Sequence, residues 1–243
     1  MLFGSSIIHL TSVDSTNNYA AKLLKENLLS SGAVILADVQ TAGKGQRGAK
    51  WEAKAGENLL FSLVLRHVNM SVGDQFVLNQ LSALAITDFL GKIGISAKVK
   101  WPNDVFVDDK KIAGILVETN VSGSHIKDAI IGIGLNVNQS NFNELRATSI
   151  FLEKGSLQTI NEVLHEVLKG FSSWWLMFQK EGKDVLLHHY LENLLGYKEL
   201  RDYIIQGKQV EGSIDGIDEW GRLLLTIGSE TKAFDLKEIS YCW

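Results

Sequence analysis

The sequence predicts an α+β protein: a mixed β-sheet with helices on one face, followed by a small C-terminal β-barrel. Three observations carry that expectation. Apolar residues recur at helical spacing in four segments. Between those segments lie short runs rich in Val, Ile, Leu and Phe, bounded by Gly, Asp or Pro. From about Gly196 the helical period disappears, and short strands alternate with Gly and Asp turns.

In chain order, Asp14 or Ser15 can cap a helix over Asn17 to Leu28, with Ala20, Leu23, Leu24 and Leu28 on one face. Ala33 to Val39 reads as a strand, and Asn58 to Arg66 as another whose unbroken apolar texture suits a sheet interior. Asp74 to Ile93 carries Val77, Leu81, Ala85 and Phe89 in one i, i+4 row, with Gly91 and Gly94 marking its end. Ala97 to Trp101 alternates as a strand. Val105 to Val107, the Asp108-Asp109 turn and Lys111 to Glu118 read as a hairpin, and Ala129 to Val137 as a further central strand. Ile160, Val163, Val167, Phe171, Trp174 and Phe178 form the third helical row, which Gly182 stops. Leu187, Leu191 and Leu194 suggest a fourth helix. Val210 to Ile214, Leu223 to Ile227 and Ala233 to Leu236 are the short strands of the C-terminal module, which is expected to pack on the larger one.

The 243 residues are 45% hydrophobic and 21% charged, enough chain for a substantial core in one or two domains. The net charge of −4 does not call for a duplex-DNA-binding face. A single cysteine, Cys242, rules out an intrachain disulfide and a cysteine-rich metal site, and suits a reducing cytoplasm. The N-terminus lacks the basic and apolar regions of a signal peptide. No run of about 18 apolar residues would cross a membrane. A cytoplasmic protein is expected.

The most informative stretch is Thr41 to Trp51, TAGKGQRGAKW. Gly43, Gly45 and Gly48 stand among Lys44, Arg47 and Lys50. Glycines let backbone N–H groups face a ligand closely, and neighbouring cations select an anion such as phosphate or carboxylate. The other reading is a solvated surface loop. The Walker pattern fails because Ala-Lys follows Gly48. The dinucleotide spacing G-x-G-x-x-G is met, yet no amphipathic helix follows. Pro102 in WPND ends a strand and holds Asn103 and Asp104 at its tip, either as turn residues or as ligand or water-bridged Mg²⁺ contacts. Lys111 is either a hairpin-turn charge or a cation aimed at a reacting carboxylate and phosphate. Asn136, between Leu135 and Val137, needs a partner, structural or bound. His188 and His189 diverge on their helix and read as ordinary helix residues.

Together these segments resemble the biotin protein ligases, the biotin–[acetyl-CoA-carboxylase] ligases. DSTN (Asp14 to Asn17), QTAGKGQRGAKW (Gln40 to Trp51), GENLLFSL (Gly56 to Leu63), KWPND (Lys100 to Asp104), KKIAGILVE (Lys110 to Glu118) and GIGLNVN (Gly132 to Asn138) occur in that family's order and spacing. The resemblance implies a biotin/lipoate ligase-like catalytic domain over residues 1–195 and an SH3-like barrel over 196–243. It implies formation of biotinyl-5′-AMP from biotin and ATP with Mg²⁺, then transfer of biotin to one lysine of a biotin carboxyl carrier domain of acetyl-CoA carboxylase or a related carboxylase.

By the same resemblance, Lys111 and Arg47 are the catalytic cations. Ser15, Thr16, Asn17, Gln40, Gly43, Lys44, Gly45, Gln46, Lys111, Gly114, Ile115 and Leu116 contact biotin. Lys44, Arg47, Trp51, Asn103, Lys111 and Asn136 contact ATP or the adenylate. No metal ligand is assigned; Mg²⁺ enters with ATP. The loop departs from a common family form, G-R-G-R-R-G, because Lys44 and Gln46 stand where arginines often do. It is expected to be mobile before ligands bind. The Asp14 motif begins almost at the start, leaving no room for the helix-turn-helix domain that some members carry, so DNA binding is not expected. Family members are often dimers through sheet edges, so a homodimer is one expected assembly. A lipoate–protein ligase and a non-catalytic biotin- or nucleotide-binding regulator are the competing readings.

Overall fold

The computed structural model describes residues 3–143 and 146–242. The first sheet contains β1 (Ile7–Leu10), β2 (Val34–Ala37), β3 (Asn58–Ser71), β4 (Lys98–Lys100), β5 (Asp104–Val107), β6 (Lys110–Ser122) and β7 (His125–Asn136). Its strand order is β1-β2-β3-β7-β6-β5-β4. Helix α1 (Thr16–Lys25) links β1 to β2, which run parallel, and every other neighbouring pair is antiparallel. The sheet is therefore mixed, as expected.

The central strands explain the unbroken apolar runs. Asn58 to Leu65 of β3 are all buried, so both faces of that strand lie in packed interior. On one face, Val34, Leu36, Leu63, Leu65, Ile131 and Leu135 join a core with α2 (Phe76–Lys92), α4 (Ile160–Glu181) and α5 (Lys183–Glu192). On the other, Ile35, Val64 and Ile130 pack with Ala20 of α1 and with Leu29. Strand side chains alternate faces, so one strand feeds both clusters.

Helix α1 is shorter than its apolar row suggests. Asn27 takes a left-handed φ of 56°, and the Leu28 N–H reaches back to the Leu23 carbonyl at 3.0 Å. That is the hydrogen-bonded stop an asparagine after the last turn provides. Leu28 is left 65% exposed, and Leu29 takes the buried place. The face of α5 is also rotated. Leu186 and Tyr190 are fully buried, Leu187 and Leu191 flank them, and Leu194 is buried beyond the helix end. Neither β1 nor the short α3 (Ile150–Lys154) is anticipated: β1 is a four-residue strand with a half-exposed pattern, and α3 is barely one turn.

The second sheet is antiparallel. It contains β8 (Leu200–Ile205), β9 (Lys208–Ile217), β10 (Leu223–Ile227), β11 (Glu230–Phe234) and β12 (Ile239–Tyr241), in the order β11-β10-β9-β8-β12. An isolated bridge, Leu236–Ile239, lies in the connection between β11 and β12. The core is continuous across both sheets, because Tyr203, Ile214, Leu223 and Leu225 belong to the same cluster as α2 and α4. The Trp101 indole N–H donates to the Gly221 carbonyl at 2.8 Å. Gly221 itself has φ 84°, and a Cβ there would lie 2.8 Å from the Phe76 ring.

Three phenols, Tyr190, Tyr203 and Tyr241, are buried along this junction. Burial disfavours their ionised forms. It raises all three and pushes Tyr203 up to about 12 from the ordinary 10.0. The native chain thus keeps these protons more tightly than the unfolded chain does. Their contribution is fully present below pH 10 and is lost as pH rises from about 10 towards 12. Urea titrations at pH 8 and pH 11 are expected to show a lower midpoint at the higher pH. Tyr203→Phe, which removes a buried hydroxyl with no hydrogen-bond partner among the described residues, should shrink that difference without lowering stability at pH 8. A pH-dependent loss identical in wild type and variant would contradict this account of Tyr203.

Candidate active site

A cleft of about 240 Å³ opens over β6 and β7, between the start of α1 and the glycine-rich loop. Its two ends differ chemically.

One end is polar, and its buried members are all neutral. Ser15 precedes α1 in extended conformation, and its side chain makes no capping bond. The helix start is instead served by Gln40, whose Oε1 accepts from the Thr16 N–H at 2.8 Å and from the Thr16 hydroxyl at 3.1 Å. The Ser62 hydroxyl lies 2.7 Å from Thr16 Oγ1 and 2.6 Å from Asn17 Oδ1; with one proton it can donate to only one of them at a time. Asn17 Nδ2 donates to Glu118 at 2.7 Å. Asn17 fits here because Gly132 has no side chain: a Cβ would stand 2.5 Å from Asn17 Oδ1. Ser15, Thr16, Asn17 and Ser62 are all buried, so these polar groups form a dry, preorganised donor–acceptor cluster.

The other end is ionic. The Lys111 ammonium contacts the Asp104 carboxylate at 2.6 Å and lies 5.4 Å from the centre of a Trp51 ring. A β-bulge aims this lysine. Asp104 pairs with Gly114 and Val105 with Ala113, but Phe106 pairs with Lys111, leaving Ile112 as the extra residue. Residues three apart on a regular strand face opposite sides; the bulge puts Lys111 and Gly114 on the same side. A Cβ on Gly114 would meet the Lys111 Nζ at 3.1 Å and the Trp51 ring at 2.9 Å. The Lys111 backbone is held from the other edge as well, donating to the Arg146 carbonyl and accepting from the Thr148 N–H. Behind Asp104 stands its cross-strand partner Lys100, set between the Phe106 and Tyr241 rings. Burial pulls the Lys100 pKa down, the Asp104 charge pulls it up, and Lys111 adds to the lowering.

Between the ends, Trp51 lies on a glycine floor. A Cβ on Gly134 would stand 2.4 Å from the indole, and Gly134 pairs with Gly114 on the neighbouring strand. Phe61, Ile115, Leu116 and Ile133 supply apolar wall. The loop above is its own small hairpin, closed by Gly45 N–H to Ala49 carbonyl at 2.7 Å and Trp51 N–H to Gly43 carbonyl at 3.0 Å. Lys44, Gly45, Gln46, Arg47 and Lys50 line its inner side. Arg47 takes a left-handed φ of 50° and donates from Nη1 to the Leu236 carbonyl of the C-terminal module at 2.9 Å. Two buried atoms of the cleft residues have no partner among the described residues, Gln46 Oε1 and Trp51 Nε1.

Most sequence-predicted residues thus meet at one cleft. Two do not form its wall. Asn136 points its amide behind Lys111, donating to the Thr148 carbonyl at 2.9 Å. Gly43 lies on the outer side of the loop, where a Cβ would stand 2.5 Å from the Trp51 carbonyl oxygen. Asn103 is in the wall, but its Nδ2 is engaged with the Ile115 carbonyl at 2.6 Å, which leaves its Oδ1 as the free function. Phe61, Ser62, Gly132, Gly134, Leu236 and Lys237 escaped site assignment from sequence, and the role of Asp104 as the partner of Lys111 was not foreseen. The alternation Gly132, Gly134 was a readable signal, since two same-face glycines in a buried strand mark a place where something flat approaches.

A mixed sheet carrying a polar cluster, a glycine floor and a cation-rimmed cleft defines a class of protein that binds an elongated ligand with an anionic end. A profile of the Biotin/lipoate A/B protein ligase family matches residues 10–136, and the chain belongs to that family. It is 34% identical over 228 residues to the biotin–[acetyl-CoA-carboxylase] ligase of Paracoccus denitrificans, covering 89% of this chain and 92% of that protein. It is 31% identical over 236 residues to the bifunctional ligase/repressor BirA of Escherichia coli strain K12, covering 92% of this chain and 70% of that one. The structure of a biotin protein ligase from Aquifex aeolicus in complex with biotin and ATP superposes with a TM-score of 0.78 at 30% identity, covering 97% and 98% of the two chains.

The glycine floor makes a sharp structural test. Gly134→Ala forces the Trp51 indole to move, at a cost of about 1–3 kcal/mol. The melting temperature should fall by several degrees, whereas Gly91→Ala in α2, where a Cβ meets nothing within 4 Å, should hold or raise it. Equal melting temperatures for the two variants would mean that the floor tolerates a side chain.

Proposed function

We propose that this chain is a biotin protein ligase, which activates biotin as biotinyl-5′-AMP with ATP and transfers it to a lysine of a biotin carboxyl carrier domain. The observation that carries this reading is the order of chemistry along one cleft: a buried neutral polar cluster, an apolar glycine-floored stretch, then one ammonium. Biotin has the same order, with a ureido head, an apolar tail and a carboxylate.

The ureido group needs a donor for its carbonyl and acceptors for its N–H groups. Ser15, Thr16, Asn17 and Gln40 offer both kinds. The tail lies along Gly114 to Leu116. The carboxylate and the α-phosphate are both anions and must meet. Lys111 bridges them, giving up Asp104 for ligand oxygens, and so acts by positioning and charge stabilisation rather than as a base. A carboxylate oxygen attacks the α-phosphorus, the bond to the bridging oxygen breaks, and its electron pair leaves with pyrophosphate. In the second step the neutral amine of the acceptor lysine attacks the acyl carbon. The C–N bond forms, the acyl–phosphate bond breaks, and AMP leaves while the amine's proton passes to solvent.

Arg47, Lys44 and the loop N–H groups surround the phosphates, and Trp51 offers an aromatic wall to the adenine. Gln46 Oε1 and Trp51 Nε1 have no protein partner among the described residues, and a shift of the loop would turn them to the ligand. No group of three or more His, Cys, Asp or Glu side chains among the described residues would hold a metal by itself. Mg²⁺ would enter with ATP and neutralise its phosphates, and the oxygens of Asn103 and Asp104 would be the protein groups to meet it. A mixed anhydride is lost to water unless covered, so the loop over Thr41 to Lys50 closes over it. Asn136 acts at one remove, bracing the strand that carries Lys111. We also infer two functional modules meeting near residue 195 and cytoplasmic action on a protein acceptor, with a homodimer through a sheet edge as one assembly open to it.

Pyrophosphate exchange into ATP should depend on biotin and not on lipoate. With a purified carrier domain, Lys111→Ala is expected to lower transfer by about 10²–10³-fold; near-wild-type transfer would remove Lys111 from its role. Limited proteolysis within 41–50 should slow when biotin and MgATP are added together. Cleavage at an unchanged rate would count against loop closure.

A further inference from the structure

One cleft residue comes from the second sheet and has no part in the chemistry above. Lys237 lines the mouth of the cleft, on the same wall as Leu236, whose carbonyl holds Arg47. It sits in a turn closed by the Glu238 N–H donating to the Asp235 carbonyl at 3.1 Å. Its φ is 78°, the largest of the nine non-glycine residues with positive φ among those described and within the range of the glycines. At the third position of a turn, a φ near +80° is the requirement that selects glycine or asparagine. Any residue with a Cβ is held there against its own backbone preference, and such strain is a pointer to function rather than to stability.

The charge is also left available. Lys237 is exposed and has no ion partner within 4.0 Å among the described residues, whereas Lys111 is paired with Asp104. The acids beside it are engaged elsewhere. Glu238 accepts from the Asp235 N–H at 2.8 Å, and both carboxylates lie in the field of Arg222. The ammonium therefore faces an anion that enters from the mouth.

The nature of that anion follows from the ligand that the proposed reaction brings to this cleft. With an acyl carboxylate and an α-phosphate at Lys111 and adenine on the aromatic wall, the β- and γ-phosphates of the nucleotide still need cations, and Arg47 and Lys237 line the same cleft. We propose that Lys237 binds the β- and γ-phosphates of ATP, so that the C-terminal sheet contributes a charge for the departing pyrophosphate. This rests on the adenylation reading above. When the bond between the α-phosphorus and the bridging oxygen breaks, the electron pair stays on the pyrophosphate, and Lys237 is a cation on that product's side of the cleft.

The test is direct binding of MgATP, AMP and biotin by titration calorimetry to wild type, Lys237→Gly and Lys237→Asn. Both replacements suit a positive φ, so neither threatens the turn, and Lys237→Gly should melt no lower than wild type. Both variants should bind MgATP about three- to tenfold more weakly, while AMP and biotin bind as in wild type. Unchanged MgATP affinity in both variants overturns the proposal and leaves the biotin ligase reading intact. An equal loss for AMP and MgATP also overturns it, because it moves Lys237 from the β- and γ-phosphates to the nucleotide monophosphate. A wild-type protein that binds no MgATP overturns the adenylation reading, and this proposal with it.

Discussion

The site depends on aiming one ammonium into a cleft and pairing it with a partner that can be exchanged. Lys111 meets both demands through different parts of the fold. The bulge at Ile112 turns it to the glycine side of β6. The backbones of Arg146 and Thr148 lock its main chain from the opposite edge. Asp104 neutralises it at 2.6 Å, in a position from which a substrate oxygen can take over. A lysine sealed inside a full network of partners could not exchange them.

The rest of the cleft can be understood as clearance around that charge. Gly114, Gly132 and Gly134 sit where Cβ atoms would collide with Lys111, Asn17 and Trp51. Three missing side chains therefore let an amide, an indole and an ammonium lie close to one sheet. The polar cluster at the far end costs little while empty, because Thr16, Asn17, Gln40 and Ser62 satisfy one another. The cleft is thus ordered at its head and unsatisfied nearer its mouth, where Gln46 Oε1 and Trp51 Nε1 lack partners.

Much of this architecture was legible in the sequence where one local pattern dominated. The rows in α2 and α4 are strongly periodic, and β3 and β7 are buried runs of Leu and Ile that admit few alternatives. Legibility failed where the deciding interaction is not local. Leu28 continues an apolar row, but Asn27 ends the helix before it. Asp104 reads as a turn residue or a ligand contact, and its pairing with Lys111 shows only once the bulge brings the two together. Asn136 reads as a cleft residue until the register of β7 turns its amide towards Thr148. Leu236 and Lys237 are some 190 residues from Arg47 in sequence, and no pattern in either segment announces their meeting.

The bond from the Trp101 indole to the Gly221 carbonyl, with Phe76 pressed against that glycine, bears on how such chains are recombined. The C-terminal sheet is not a portable cassette. A chimera that grafts in another such sheet must also bring a carbonyl for Trp101 and a residue without a side chain opposite Phe76. Without them the splice leaves an orphaned indole N–H at the seam and a steric wedge beside it. Exchange between relatives is therefore constrained at this seam even where the active-site motifs are the same.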